Sequence, residues 1–405
     1  MRINGERLIS DLEEFRLITA TPGEGVTRFS YSNEDIAARE RIRQMAEGYN
    51  MICRTDQTGN MIIGPEKSKR VILFGSHIDT VKNGGWLDGI YGVISGLEIL
   101  RTFYENGIQH DCALIIFAEE EGSNFGATMT GSKFITGKYS TQKLDQLVSD
   151  KGETMRSVLQ KTGFFGQKQN ERLIDIDLVK AMFEIHVEQG PVLYDEGLEI
   201  GIVHAVAGMK VIQTVYEGLG NHAGASPMAG RKDAFVAVAE AAVSIERMIR
   251  DDPEKSLVGT MGKIFVYPNC SNVIPEKAFF TFEVRSENNN KTEAALNKAK
   301  EIIRETAARR KIKCSISNIA SSDAIPMSED IKSTMENIAR EKGLRYKIMN
   351  SGAVHDAAMM AGYIDTGMVF VPSINGRSHV PEEDTQKEHL TGGTQFLMDV
   401  IREYI

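Results

Sequence analysis

Residues 71–80 read VILFGSHIDT, a short, wholly apolar run that ends in Ser, His, Asp and Thr. An unbroken apolar run of this length is what a strand buried on both faces requires, and such strands belong to parallel sheets covered by helices. The flanking segments agree. Residues 6–18 carry apolar positions at helical spacing, and Ser32 followed by Asp35 predicts an N-cap opening a helix over 33–48. A helix is expected over 89–104 and a second buried strand over 113–118. Strand, helix and strand make a βαβ unit, hence a mostly parallel sheet.

From about Gly208 the pattern changes. Strand 210–216, helix 233–249, strand 258–266, strand 278–285, helix 292–309 and strand 312–319 follow one another. That β-α-β-β-α-β order is the ferredoxin-like arrangement, with two helices on one face of a four-stranded antiparallel sheet. After Pro326 the first pattern resumes, with helix 329–340, buried strand 367–371 and a final helix over 385–403. The expected fold is an α/β domain with a mixed, mostly parallel sheet, built from residues 1–207 and 325–405. A ferredoxin-like α+β domain, residues 208–324, is inserted into it.

At 405 residues the chain has room for two or three domains. Lys+Arg 47 against Asp+Glu 56 gives a formal charge of −9, which disfavours nucleic acid and anionic lipid as partners. The first residues, MRINGERLISDLEEF, lack the apolar core of a signal peptide, and no apolar run is long enough to span a bilayer. Cys53, Cys112, Cys270 and Cys314 are scattered without CxxC spacing and read as reduced thiols, so a cytoplasmic protein is expected. Histidine is the less ordinary count. There are only eight, yet five sit in Gly-rich, acid-bearing segments.

Ligands of open α/β sheets gather at the carboxyl ends of strands, and His77 sits at such an end, followed by Asp79 and Asp88-Gly89. The next buried strand ends in Glu119-Glu120-Glu121-Gly122. Three adjacent carboxylates there would repel one another and resist desolvation unless a cation compensates. A strand over 181–188 carries His186 and is followed by Gln189. Strand 367–371 leads into Ser373-Ile374-Asn375-Gly376-Arg377-Ser378-His379. Four strands thus deliver His, Asp or Glu to one sheet edge. Imidazole with carboxylate suits Zn²⁺ or Mn²⁺, and five ligands with one bridging carboxylate suit two ions. The lack of a nearby Cys ligand argues against a structural zinc site. The inserted domain adds His222 in the Gly-rich turn GNHAGASP, Asn272, and Arg285 at a strand end. Arg285 could grip a substrate carboxylate bidentately, or form a surface salt bridge.

Taken in order, GSHIDTVKNGGWLDG, EEEGSNF, EIHVEQG, NHAGASPM, SNVIP, SGAVHDA and PSINGRSH resemble the allantoate amidohydrolase and N-carbamoyl-L-amino-acid hydrolase branch of the dinuclear M20-type metallohydrolases. The likeness covers nearly the whole chain. It implies two divalent ions, Mn²⁺ or Zn²⁺ with Co²⁺ tolerated, held by His77, Asp88, Glu121, His186 and His379, with Asp88 bridging. It makes Glu120 the general base and Glu119 a neighbour, a shift by one being the alternative. Asp79 would orient the imidazole of His77. His222 would stabilise the oxyanion, Asn272 and Arg285 would hold a substrate carboxylate, Gln189 would contact a ureido group, and Ser351 and Gly352 would also face the substrate. The smaller domain would act as lid and dimer interface of a homodimer.

The loop at 372–376 and NHAG at 221–224 look like those of allantoate amidohydrolases, which implies conversion of allantoate to ureidoglycine with release of ammonia and carbon dioxide. N-Carbamoyl-L-amino acids, which offer the same carboxylate and one ureido group, are the alternative small anionic substrates. Two readings of other kinds are a non-catalytic relative that keeps the fold as a binding module, and an aminoacylase or dipeptidase of the wider superfamily. Three positions depart from the family pattern: Asn124 where Arg is usual, Val354 where Gly or Ala is common, and Arg377 just before Ser378-His379.

Overall fold

The computed structural model describes residues 1–64, 70–166 and 173–405. The chain forms two compact units, Met1–His204 with Pro326–Ile405, and Ala205–Ile325. In the first unit, four parallel strands lie side by side in the order Cys112–Phe117, Val71–His77, Val179–Val187 and Thr366–Val371. Antiparallel strands flank them: Ile52–Thr55 and Met61–Gly64 beyond Cys112–Phe117, and Ile200–Val206 beyond Thr366–Val371. The sheet is therefore mixed, with a parallel centre. Tyr346–Ser351, which pairs with Ile200–Val206, and the outer antiparallel strands carry no signal as clear as the central apolar runs.

The central strands are apolar throughout because both faces are covered. Ile72 and Phe74 turn into the core that holds Ile90, Val93, Ile94 and Leu97 of helix Ile90–Glu105. Leu73, between them, joins Ile135, Met182 and Met360 in the core of the opposite face. Gly75 has φ of 152°, and a Cβ there would lie 1.8 Å from the carbonyl oxygen of Ile115 on the neighbouring strand. Only glycine lets the two backbones approach so closely at that φ. Parallel register sets His77 beside Phe117, and His186 beside Phe370. The carboxyl ends of four strands therefore open on one edge, where the loops bearing the candidate ligands begin.

In the second unit Gly208–Glu217, Lys277–Ser286 and Lys313–Ser322 form an antiparallel sheet with Val258–Thr260 and Ile264–Tyr267. Helices Ala234–Arg250 and Asn289–Arg309 bury Ala237, Ala241, Ile245, Leu296, Ala299 and Ile303 against Ala278, Phe280, Phe282 and Val284 of the central strand. The single strand expected over 258–266 is interrupted. Thr260 pairs with Glu283 and Ile264 with Phe280, so three residues face two, which is a β-bulge. All four cysteines are free thiols. Among the described residues no helix is long and apolar enough to cross a membrane.

Candidate active site

His77, the last residue of its strand, is buried. Its Nδ1 lies 3.0 Å from the main-chain carbonyl of Asp79, which turns Nε2 toward Asp88 Oδ1 at 3.5 Å. His186 follows the same rule: Nδ1 meets the carbonyl of Val187 at 2.8 Å, and Nε2 is 3.1 Å from Asp88 Oδ1. A carbonyl on Nδ1 fixes the tautomer that turns the Nε2 lone pair toward Asp88; at His186 that lone pair also accepts the N–H of Gly89 at 3.1 Å. The other oxygen of Asp88 looks elsewhere. Oδ2 is 3.1 Å from His379 Nε2, which in turn is 3.4 Å from Glu121 Oε1. Two ligand sets thus share one carboxylate: His77, Asp88 and His186, and Asp88, Glu121 and His379.

This donor set fits a pair of divalent ions. Each set offers atoms within 4.8 Å of one another, and Glu121 Oε1 is buried without a hydrogen bond. Burial, reinforced by the charges of Asp88 and Asp79, pushes the Glu121 carboxyl up to about 10. Burial also works against ionisation of Asp88, but His186, His379 and His77 outweigh it and hold Asp88 well below the carboxylate range. Burial would lower His186, yet Asp88 raises it to about 9. Proton and cation therefore compete for the same atoms.

The acidic triplet divides its labour through backbone shape. Glu119 takes φ of 52°. Its Oε1 accepts the N–H groups of Asn124 and Phe125 at 3.2 and 2.9 Å, so it closes its own loop and joins neither ligand set. Glu121 faces His379. Glu120 Oε2 lies 3.8 Å from His77 Nε2, while Oε1 is buried with no partner. Burial, then the charges of Asp356 and Glu121, raise its carboxyl well above the ordinary range.

Asp79 departs from expectation in detail. The atom that orients His77 is its carbonyl oxygen, because the chain turns tightly enough for residue 79 to reach back to the ring. Its carboxylate is 3.8 Å from Nδ1 and instead accepts the N–H groups of Glu120 and Glu121 at 3.2 and 3.1 Å. Gln189 sits among the ligands, its Nε2 2.9 Å from Asp88 Oδ2, with Oε1 buried and unpartnered. Ser351 Oγ is used within its own turn, donating to the carbonyl of Ala353 and facing His355 Nε2 at 2.9 Å, while Gly352 is exposed. Asn124 Nδ2 bonds the carbonyl of Ser30, and Arg377 pairs with Glu382 at 2.9 Å. Nothing in the structure explains Val354.

Three residues at the site escaped the sequence reading. Glu383 Oε1 accepts the N–H groups of Leu87 and Asp88 at 2.9 and 3.0 Å, and Ser378 Oγ donates to Glu383 Oε2 at 2.6 Å. Burial and the charge of Asp88 bring Glu383 up to about 7. The ring of buried His355 lies 4.8 Å from that of His186. Glu184, two residues before His186 on the same strand, accepts from Ser76 Oγ at 2.6 Å and from the N–H of Ala357 at 2.8 Å. The His-Asp pair in SGAVHDA and the period of two in EIH were the available signals. A lone Glu383 gave none.

His222, Asn272 and Arg285 lie in the second unit. His222 Nδ1 accepts the N–H groups of Gly224 and Ala225, both at 3.1 Å, which places the ring proton on Nε2. The carbonyl of Asn272 accepts the N–H of Ala223, so the two loops are joined. Arg285 Nε donates to Glu283 Oε1 at 2.7 Å on the less buried face of the sheet.

Residues 73–403 match the model of a family described as Peptidase family M20/M25/M40. The chain belongs to this family. An N-carbamoyl-L-amino-acid amidohydrolase of Paenarthrobacter aurescens is 32% identical over 407 residues, covering 99% of this chain and 98% of the relative. An allantoate amidohydrolase of Escherichia coli is 33% identical over 391 residues, covering 93% and 92%. A ureidoglycolate hydrolase of Arabidopsis thaliana is 30% identical over 408 residues, covering 98% and 86%. A crystal structure of a hydantoinase/carbamoylase family amidase from Burkholderia multivorans superposes with a TM-score of 0.92 at 29% identity, covering 99% of this chain and 97% of that one. This M20 protein is a metal-dependent amidohydrolase with a candidate dinuclear site.

Because the ligand atoms hold protons until a cation replaces them, loading should be proton-coupled. Calorimetric titration with Mn²⁺ at pH 7.5, repeated in buffers of different ionisation enthalpy, should show at least about one proton released per chain. With His186 at about 9 and Glu121 at about 10, affinity should rise as pH climbs through that range and level off only above it. Binding with no proton release would contradict this.

Proposed function

We propose that the chain hydrolyses a ureido C–N bond of a small anionic substrate, allantoate, giving ureidoglycine, ammonia and carbon dioxide. The observation that carries the hydrolytic reading is the division of Asp88 between two ligand sets, with Glu120 beside them and in neither. The choice of allantoate is supported by the loop Pro372-Ser373-Ile374-Asn375-Gly376, by Asn221-His222-Ala223-Gly224, and by the relatives that bear that name. N-Carbamoyl-L-amino acids are the alternative, favoured by other relatives of equal similarity.

His77, Asp88 and His186 would hold one divalent ion, and Asp88, Glu121 and His379 the other. When bound, the ions supply a Lewis-acid charge that acidifies water and polarises the ureido carbonyl. Glu120 takes the proton of the attacking water. Its raised carboxyl then delivers that proton to the departing nitrogen, so one group serves as base and acid in turn. His222, its Nδ1 already occupied by two N–H groups, has Nε2–H to donate to the oxyanion of the tetrahedral adduct. Arg285 and Asn272 take the substrate carboxylate and Gln189 a ureido arm. The C–N bond to the terminal nitrogen breaks, ammonia leaves, and the remaining carbamate loses carbon dioxide. We also infer a homodimer built through the second unit, whose Val243, Val258, Phe265 and Tyr267 are exposed apolar side chains.

Glu120→Gln should keep both ions while kcat falls about 10²- to 10⁴-fold; loss of metal along with activity would make Glu120 a ligand. Allantoate, ureidoglycolate and several N-carbamoyl-L-amino acids, assayed in parallel with Mn²⁺, should show allantoate turned over with the highest kcat/KM. Turnover of carbamoyl amino acids alone would overturn the choice. Sedimentation equilibrium should give twice the chain mass, and a monomer at micromolar concentration would dismiss the homodimer.

A further inference from the structure

Arg28 is a charged side chain sealed in the interior, 1% exposed. Its hydrogen bonds run to main-chain carbonyls: Nε to Ile78 at 2.7 Å, and Nη1 to Phe15 at 3.1 Å and Ile18 at 3.0 Å. Burying a guanidinium among carbonyls is unfavourable relative to an apolar side chain of similar volume, so packing alone does not account for it. Ile78 is the residue between His77 and Asp79. The main chain of Arg28 holds the same loop, its N–H bonding Thr80 Oγ1 at 2.9 Å and its carbonyl accepting the N–H of Thr80 at 3.0 Å. Two residues on, buried Ser30 grips the other ligand loop. Its Oγ accepts the N–H of Glu119 at 3.0 Å, and its carbonyl accepts from Asn124 Nδ2 at 2.9 Å.

One three-residue segment therefore ties the loop at 77–80 to the loop at 119–124. The two loops are also linked directly, by the Asp79 carboxylate to the N–H groups of Glu120 and Glu121. The Arg28–Ser30 segment adds a second, independent set of hydrogen bonds to that link. We propose that Arg28 and Ser30 are positioning residues that set the spacing between the two loops, and with it the fit of His77 and Glu121 to their ions and of Glu120 to the attacking water. This inference rests on the dinuclear reading above. Lysine cannot reproduce the role, since an ammonium lacks the planar fork that reaches three carbonyls in different directions.

The test uses the full-length chain stripped of metal, titrated calorimetrically with Mn²⁺, with thermal unfolding of the stripped protein recorded beside it. Arg28→Lys should weaken Mn²⁺ binding about 10- to 100-fold, and kcat at saturating Mn²⁺ should fall with KM little changed. Ser30→Ala should weaken binding several-fold, and the double variant should lose less than the product of the single losses, because one segment is being loosened twice. Should Arg28→Lys fail to fold, Thr80→Val, which removes the acceptor of the Arg28 N–H, is expected to give the same loss of affinity in a folded protein. Binding within twofold of wild type in a folded variant, with only the unfolding midpoint lowered, would reduce Arg28 to a structural residue and overturn the proposal. Absence of Mn²⁺ binding by the wild type would overturn the dinuclear reading itself.

Discussion

Asp88 has two carboxylate oxygens, and the fold gives each a different task. Oδ1 faces His77 and His186, Oδ2 faces His379. The surrounding structure keeps this one group ionised and aimed. Three imidazoles offset its burial. Its own N–H is held by Glu383, a carboxylate delivered from the far end of the chain beside His379. Gly89 follows, and a side chain there would lie 2.4 Å from the His77 ring. Parallel register brings the strand ends to one edge, so residues distant in sequence meet there without any long excursion of the chain.

The buried acids around Asp88 make the site unfavourable unless a cation is supplied. Glu120 and Glu121 are both pushed toward their protonated forms by burial and by neighbouring carboxylates. Burial disfavours charge of either sign, but the part of the shift that comes from neighbouring carboxylates marks a negative potential in which added positive charge is stabilised. In the proposed mechanism, the same feature that raises Glu120 suits it to return a proton after taking one. Metal binding and the proposed catalysis would then draw on one electrostatic imbalance.

Much of this was legible in the residues. His77, His186 and His379 announce themselves because each ends or follows an apolar strand, and the central strands are recognisable because burial on two faces leaves no polar alternation. Other features depend on backbone angles that composition does not encode. Nothing in Glu119-Glu120-Glu121 says which carboxylate faces the ions; the left-handed φ at Glu119 separates their directions. Asp79 was recognised as a partner of His77, but not that its carbonyl would do the orienting while its carboxylate held the next loop. Glu383 and Arg28 gave no signal, since one reads as a surface acid and the other as an ordinary arginine until the fold buries them. The bulge between Thr260 and Ile264 and the flanking antiparallel strands were hidden for a similar reason: short or half-buried strands leave little periodicity to read.

The proposed site requires one carboxylate to be divided between two ions. Diffraction from Mn²⁺-loaded crystals, recorded near the manganese absorption edge, measures it directly. The geometry predicts two anomalous peaks on opposite sides of Asp88, one contacting His77 and His186, the other Glu121 and His379, with Glu120 coordinated to neither. A single peak, or a peak bonded to Glu120 in place of Glu121, would contradict it.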